Sequence, residues 1–343
     1  MTRTMTAQEM RRFATDVLLA KGATAQTVGP VTDHLVDASL SGLEAHGIMR
    51  VSEYARMLES GFIDGTATPE IETLAPGVFR VDGRNGFGQV AMMRAVDTMT
   101  AALDEVPMVA AGVTGIGHTG RVGAYTEALA ARGCLAMIFG GGGHQKYPTV
   151  APYGGSRGVM STNPVAFAIP GRNDVPVSVD FATATTAGGK LRYARDNGLQ
   201  LPEGHVIDKH GKPTRSPADY FDGGTILGLA GPKGSGLGMI GELLGHALLG
   251  PAREFNWFLI AVRLSAFDDA AYAERAEAFL DKVNAVPPRE GFDRVLYPGQ
   301  MEAMARTRNL RTGVPVSDGV LLDMERLSGE TGVPMPAFTE LAA

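Results

Sequence analysis

Residues 115–125 read GIGHTGRVGAY. Gly115, Gly117 and Gly120 keep the spacing of a G-x-G-x-x-G dinucleotide loop. The stretch follows the apolar run MVAAGVTG (108–115) and precedes a helical pattern from Arg121 to Arg132. A Rossmann fingerprint needs more than three glycines. It opens a βαβ unit, and an acidic residue follows about 20 residues later. Here the motif lies far into the chain, and residues 134–143 (CLAMIFGGGG) are apolar and then glycine. The loop is therefore not read as a Rossmann turn. His118 sits among glycines between a strand and a helix, where rigid elements can hold a working side chain.

The elements around this loop are mixed. Thr6 with Glu9 predicts a capping box, and Met10, Phe13, Val17 and Leu18 continue at helical spacing until Gly22. A second helix is expected to start near Pro30 and to carry Val31, Leu35, Val36 and Leu40. A third runs from about Arg50 to Gly61, with Val51, Tyr54 and Leu58 on one face. DGRNG (82–86) predicts a turn, and a helix through Val90, Ala95, Met99 and Leu103 follows. CLAMIF, VAFAIP, VPVSVDFA and NWFLIAVRL predict strands. The small residues of SGLGMIGELLGHALLG predict a helix packed closely on a neighbour. DDAAYAERAEAFLDKVNAV predicts an amphipathic helix with an acidic opening that suits the helix dipole. The pattern is α+β. Residues 1–74, joined by 284–343, are expected to form a helical lobe of both termini, and 75–283 an α+β core.

Composition narrows the function. Lys plus Arg number 31 and Asp plus Glu 37, a net charge of -6. That balance argues against a nucleic-acid partner, which needs clustered cations. The single cysteine, Cys134, cannot form an internal disulfide or a multi-cysteine zinc site. MTRTMTAQEMRRF lacks the apolar segment of a signal peptide, and no apolar run reaches the ~18 residues of a membrane span. A cytoplasmic protein with no membrane partner is expected. Glycine is in excess, 45 of 343 residues, and clustered where backbone can approach a ligand or turn sharply.

Several clusters could carry chemistry. His46 and Arg50 in EAHGIMR (44–50) are four residues apart, so on one helix they would share a face. Histidine can exchange a proton with an oxyanion near neutral pH, and arginine can clamp a carboxylate. Taken alone, the pair equally fits a solvated helix end. Ser, Thr and Asn of GVMSTNPVAFAIPG can meet phosphate or ribose, and Asp180 closes a strand where a carboxylate can accept from ribose hydroxyls. Lys233 lies in a glycine-rich turn leading into a helix, a favourable anion position, but GxxxxGK[ST] is absent. No paired metal-ligand spacing occurs among the seven histidines. Glu242 and His246 share only a helix face. No G-x-S-x-G supports Ser–His–Asp hydrolysis.

In order, AHGIMR (45–50), DGRNGFGQ (82–89), GHTGRVGAY (117–125), STNPVAFAIP (161–170), DFATAT (180–185) with AGGK (187–190), LPEGHVIDKHGKPT (201–214), GPKGSGLG (231–238) and RVLYPGQ (294–300) resemble the type-2 malate/L-lactate dehydrogenase family. The resemblance runs from about residue 8 to residue 325. It implies a non-Rossmann α+β fold: a mixed, largely antiparallel core sheet with a helical lobe. It also implies a homodimer with the active site near the subunit interface, and NAD or NADP as cofactor. His46 and His118 match the family's catalytic histidines, either of which could be the acid/base. Arg50 matches the arginine that binds the substrate carboxylate, and Thr162 and Asn163 match the TNP stretch beside it. Asp180, Phe181, Ala182, Thr183, Ala184, Thr185 and Thr186, with Lys233 and Gly234, match cofactor contacts. No metal is implied.

The resemblance thus implies an NAD(P)-dependent oxidoreductase moving a hydride between nicotinamide and C2 of a small 2-oxo or 2-hydroxy acid, possibly a sugar acid. Two alternatives remain. One is a cyclic or N-alkyl imine reductase on the same scaffold. The other is a non-catalytic dinucleotide-binding paralogue. The chain departs from the family pattern at Ala45, where serine is usual, at the short segment GPAREFNWF (250–258), and at the glycine run 140–143 with His144 and Lys146. All three places could border the substrate.

Overall fold

A computed structural model describes residues 2–267 and 271–341. The chain opens with β1 (Thr2–Met5), α1 (Ala7–Ala20), α2 (Ala25–Leu40) and α3 (Arg50–Glu59). A hairpin, β2 (Glu70–Ala75) and β3 (Val78–Gly86), leads through α4 (Gly88–Ala102) to β4 (Met108–Ile116), α5 (Gly123–Ala130) and β5 (Cys134–Gly141). A second hairpin follows, β6 (Pro164–Arg172) and β7 (Val175–Ala182), and then α6 (Gly188–Asp196). Short pieces come next: β8 (Val206–Ile207), β9 (Pro213–Thr214), α7 (Pro217–Phe221) and β10 (Thr225–Ile226). The chain ends with α8 (Pro232–Glu242), β11 (Asn256–Arg263), α9 (Tyr272–Asn284), α10 (Gln300–Thr312), β12 (Val314–Pro315), α11 (Asp318–Thr331) and β13 (Thr339–Leu341).

Seven strands form the central sheet in the order β2-β3-β4-β11-β5-β6-β7. Only β3 and β4 pair in parallel, through the α4 crossover; every other neighbour is antiparallel. The fold is therefore α+β with a mixed, largely antiparallel sheet. Strand β11 returns from late in the sequence to lie between β4 and β5. That placement puts the residues just before it beside the loops that leave β4 and β5.

Two large apolar cores form. One lies between the sheet and α4 and α5, with Val81, Met92, Met99, Val113, Tyr125 and Leu259 buried. The other joins the chain's two ends, with Phe13, Val17, Leu35 and Tyr54 packed with Val320, Leu321, Met324 and Leu327. Strand β1 pairs on one side with β12 and on the other with β13. Each fully buried large side chain contributes roughly 1.5–3 kcal/mol relative to exposure. A third, smaller cluster gathers Val150, Met160, Leu191, Val206 and Ile226.

Local chemistry moved several expected boundaries. At α1 only half of the capping box forms. Thr6 Oγ1 accepts from Glu9 N–H (3.2 Å), while the Glu9 carboxylate turns to Arg12 and the Ala337 N–H. Helix α2 begins at Ala25, before Pro30, because Thr24 N–H donates to Thr27 Oγ1 and starts the helix earlier; Pro30 falls inside it. DGRNG is a bulge within β3 rather than a free turn. Arg84 and Asn85 have positive φ, and the β3–β4 register shifts between Asp82 and Gly86. The acidic opening expected for α9, Asp268 and Asp269, lies outside the described residues.

The small-residue helix packs as closely as its sequence implies. α8 continues into a π-helical turn, Leu243–Leu248. A Cβ added at Gly141 would stand 1.7 Å from the Gly241 carbonyl oxygen, and one at Gly245 would stand 2.2 Å from the Gly141 carbonyl carbon. Helix and strand therefore touch backbone to backbone. Gly141→Ala is expected to force these elements apart and to destabilise the protein by at least the ~1–3 kcal/mol typical of overpacking. Urea unfolding midpoints measure this, and an unchanged midpoint would show that the contact can relax.

Candidate active site

Residues from the helical ends and from the core sheet converge on one cavity of about 870 Å³, within the range of small-ligand sites. From the first region come His46 and Arg50; from the loop after β4 comes His118; from the β6–β7 side come Thr162 and Asp180; and Glu254 precedes β11.

His46 and Arg50 do not share a helix, so the condition for their sharing a helix face is not met, while the helix expected from about Arg50 does begin there. His46 closes a 3₁₀ turn, Glu44–His46, and Arg50 is the first residue of α3. Gly47 separates them with extended ψ. A Cβ at Gly47 would come within 2.3 Å of Ser39 Oγ, so the turn packs against α2 only with glycine there. Ser39 Oγ also accepts the Ile48 N–H (2.9 Å). Arg50 donates from Nε to the Ala45 carbonyl (2.6 Å) and pairs through Nη1 with Glu53, which leaves Nη2 for a ligand. Ala45 thus contributes its backbone, and no hydroxyl, to the site.

His118 is held from one side. The Gly120 N–H points at its Nδ1 (3.3 Å), and Tyr54 Oη lies 2.8 Å from the same nitrogen. Gln89 Nε2 in turn donates to Tyr54 Oη (2.6 Å). A backbone N–H can only donate, so Nδ1 is the acceptor and the neutral ring carries its hydrogen on Nε2. The rings of His46 and His118 stack nearly parallel, 8° apart in tilt and 6.0 Å between centroids. Burial lowers the His118 pKa well below the usual imidazole value, reinforced by Arg50 and His46. Burial, then Arg50 and Arg121, bring His46 down to about 4 against the opposing Glu53. Both rings are therefore neutral at pH 7. His46 Nδ1 is buried without a partner.

A set of anchors fixes the His118 loop. His34 Nε2 accepts the Arg121 N–H (2.8 Å), and its ring stacks on Tyr125. Tyr125 donates to the Thr119 carbonyl (2.5 Å). The buried Arg121 guanidinium bonds Asp37 (3.1 Å) and Glu127 (2.6 Å). Asp180 Oδ2 accepts the Gly123 N–H (2.7 Å), tying the end of β7 to the start of α5. A second cavity, about 570 Å³, adjoins the first across Arg121, Glu127, Gly299 and Glu302, but no histidine lines it.

Thr162, Asp180, Phe181, Ala182, Ala184, Thr185 and Thr186 all line the main cavity. Asn163, Thr183, Lys233 and Gly234 do not. Asn163 is wholly buried and donates to the Gly140 carbonyl (3.3 Å), and Thr183 Oγ1 donates to the Thr162 carbonyl (3.1 Å). Lys233 is exposed in the first turn of α8. Gly234 packs against carbonyls of Leu229 and Thr183. Among the described residues, no three His, Cys, Asp or Glu side chains are arranged to hold a metal. Glu242 instead ties β5 to β6, accepting from Gly142 N–H, Ser161 N–H and Ser161 Oγ, with His144 Nδ1 at 2.7 Å.

Several site residues escaped the sequence reading. Tyr54 looked like a core position of α3, although it lies four residues past Arg50. Gln89 lay inside the DGRNGFGQ motif without an assigned role, and Lys190 and Arg121 also line the cavity. Glu254 stood in a segment already marked as unusual. Its Oε2 is buried and unpartnered. Burial, with Glu53 nearby, pushes its carboxyl up to about 7 against Lys146 and Arg50.

The comparisons with known proteins are consistent over nearly the whole chain. A family model described as malate/L-lactate dehydrogenase matches residues 5–325. A Δ1-pyrroline-2-carboxylate/Δ1-piperideine-2-carboxylate reductase of Pseudomonas putida is 28% identical over 336 residues, 94% of this chain and 96% of that protein. A (2R)-3-sulfolactate dehydrogenase (NADP(+)) of Chromohalobacter salexigens is 33% identical over 250 residues, 73% of each chain. The solved sulfolactate dehydrogenase of Methanocaldococcus jannaschii superposes with a TM-score of 0.87 at 27% identity, covering 97% of this chain and 98% of that one.

Tyr54→Phe removes the hydroxyl that holds His118. An active-site hydrogen bond of this kind is worth ~1–1.5 kcal/mol, or about tenfold in rate. We expect kcat to fall about tenfold with cofactor binding unchanged; equal kcat in the variant would separate Tyr54 from the chemistry. Glu254 titrates in the folded state at about 7 against an ordinary 4.5. Stability tied to its protonated form is full below 4.5 and is lost as pH rises through about 7. Glu254→Gln should flatten the decline in unfolding free energy across that window; a decline as steep as wild type would assign it to another group.

Proposed function

The chain belongs to the malate/L-lactate dehydrogenase family, and from that premise we propose that it moves a hydride between nicotinamide and C2 of a small 2-oxo or 2-hydroxy acid. It is an enzyme, a dinucleotide-dependent oxidoreductase acting on small acids. The observation that carries the finer reading is the stacked, neutral pair His46 and His118 beside Arg50 in one cavity, bordered by the strand end 180–186.

The fit to a dinucleotide rests on that strand end. Residues 180–186, all but the buried Thr183, line the cavity and lead to Lys190. Asp180, with one oxygen taken by Gly123, offers the other to a hydroxyl. Lys233, four residues beyond the cavity-lining Leu229, supplies a cation at the far end, and Gly234 lets α8 approach. The bound nicotinamide supplies or takes the hydride. Arg50 holds the substrate carboxylate through its free Nη2, beside Thr162, and so orients C2. His118 offers its Nε2 hydrogen to the C2 oxygen as charge develops there. Tyr54 and Gly120 keep the ring in that tautomer, and His46 is the second group able to exchange the proton. Asn163 acts from behind the wall, joining the Thr162 turn to Gly140.

The cofactor is NAD or NADP. The imine reductase reading stands second, favoured by the relative of that activity, because Arg50 and the same C2 geometry would serve a C=N bond. The chain's two ends, 1–74 and 284–343, act as one lobe beside the 75–283 core, a division supported by β1 pairing with both β12 and β13. A second copy covers the exposed apolar side chains Met239, Ile240, Leu243 and Leu248 of α8 and its π turn. The buried free thiol of Cys134 suits the reducing cytoplasm. No helix among the described residues is long and apolar enough to cross a membrane.

Oxidation of NADH and of NADPH, followed with a panel of 2-oxo acids with and without methylamine, tests the reading. Turnover of an oxo acid alone supports ketone reduction, and turnover only with amine moves the assignment to imines. Silence with both would overturn hydride transfer to this class. In the active pairing, Arg50→Ala should raise KM at least tenfold with the fold intact by circular dichroism; unchanged kinetics would remove Arg50 from the site.

A further inference from the structure

We propose that Glu254 selects the substrate: it favours a small 2-oxo or 2-imino acid bearing an O–H or N–H donor away from the carboxylate, and it rejects acids with a second anionic group. This rests on the preceding reading of the cavity as the site of hydride transfer.

Glu254 enters the cavity wall from the two-residue approach to β11, three strands in from the edge strand β7. Its neighbour Arg253 turns the other way, donating to the Phe62 carbonyl and stacking on the Phe62 ring. That anchor fixes the backbone that presents Glu254. Glu254 Oε2 is buried without a hydrogen-bond partner. Buried carboxyl oxygens are ordinarily paired, and because the half-buried Glu254 lines the cavity, a ligand's donor there can supply the bond its carboxyl lacks. Around it stand Glu53, which is committed to Arg50, and the cations Lys146 and Arg50. Lys146 lies over the Phe62 ring at 4.6 Å and so is itself held.

The two poles of the cavity then differ in kind. Arg50 meets the substrate's own carboxylate. Glu254 meets whatever the substrate carries at its other end. A hydroxyl or an amine on the carbons beyond C2 donates to the free oxygen and offsets its isolation. Above pH 7, where Glu254 is ionised, a second carboxylate or a sulfonate would place like charges together beside a largely buried carboxylate, which is unfavourable. The short segment 250–258 is what brings Glu254 here, since β11 starts two residues later at Asn256.

The test compares kcat/KM of the full-length enzyme for pyruvate, 3-hydroxypyruvate, oxaloacetate and Δ1-piperideine-2-carboxylate, in wild type, Glu254→Gln and Glu254→Leu. Reduced-nicotinamide fluorescence measures cofactor binding separately. Wild type, assayed above pH 7, should prefer 3-hydroxypyruvate, which alone carries a donor beyond C2, to pyruvate and above all to oxaloacetate; Δ1-piperideine-2-carboxylate, whose nitrogen is the reacting imine, is the comparison without a distal donor. Glu254→Leu should narrow that preference by about tenfold or more, mostly through KM. Glu254→Gln, which keeps an acceptor but no charge, should relax the rejection of oxaloacetate while retaining preference for 3-hydroxypyruvate, and it preserves the comparison if the leucine variant does not fold. Identical substrate ratios in wild type and both variants overturn this inference alone. A wild type that binds nicotinamide yet turns over none of the four overturns the proposed function and this inference with it.

Discussion

The 2.8 Å contact between Tyr54 Oη and His118 Nδ1 is the constraint on which the site depends. Tyr54 belongs to a helix in the apolar core shared by the chain's ends, and His118 to a loop leaving the central sheet. One hydrogen bond therefore registers two separately packed bodies against each other. Tyr54 is fully buried and His118 half-buried, so the bond is made largely away from water, where a lost partner is costly. Gln89 extends it on one side and the Gly120 N–H completes it on the other. The result is a histidine whose donor atom, orientation and protonation state are settled before a ligand arrives.

Preorganisation extends outward from that bond. Four side chains contributed by α2 and α5 hold the loop: His34, Asp37, Tyr125 and Glu127. His34 acts only as an acceptor, its own pKa brought down to about 3 by burial and the Arg121 charge. Arg121 balances two acids and stays charged in a buried position. The cavity thus presents neutral imidazoles between fixed charges, an arrangement suited to binding an anion without trapping the proton that must move.

Glycine does separate work on the far side of the sheet. The close approach of Gly141 to Gly241 and Gly245 lets α8 lie on β5 and β6, and Glu242 then reaches Gly142 and Ser161. This brings the α8 turn, at Gly234, against the Leu229 and Thr183 carbonyls behind the wall that carries Asp180–Thr186. The wall is further fixed by its own hydroxyls, Thr183 Oγ1 donating to the Thr162 carbonyl and Thr185 Oγ1 to the His205 and Leu227 carbonyls.

Much of the fold was legible in the sequence because periodicity reports local burial. The strands CLAMIF, VAFAIP, VPVSVDFA and NWFLIAVRL, the first helix and the small-residue helix all lie where their patterns placed them. The ordered motifs also marked His46, Arg50, His118, Thr162 and the Asp180–Thr186 strand end, which the folded chain gathers around one cavity. What pattern could not reach was contact between distant segments. Nothing local places β11 between β4 and β5, links Tyr54 to His118 across 64 residues, or turns Glu254 into the cavity while Arg253 turns out. The same limit applies to His46 and Arg50: spacing says which residues would align if a helix ran through both, but the packing of Gly47 against Ser39 decides that the helix begins only at Arg50. By itself the sequence determined the elements, the chemistry available and the family resemblance. Only the tertiary structure decided which polar groups are left without partners in a buried place, because burial and pairing are properties of neighbours in space.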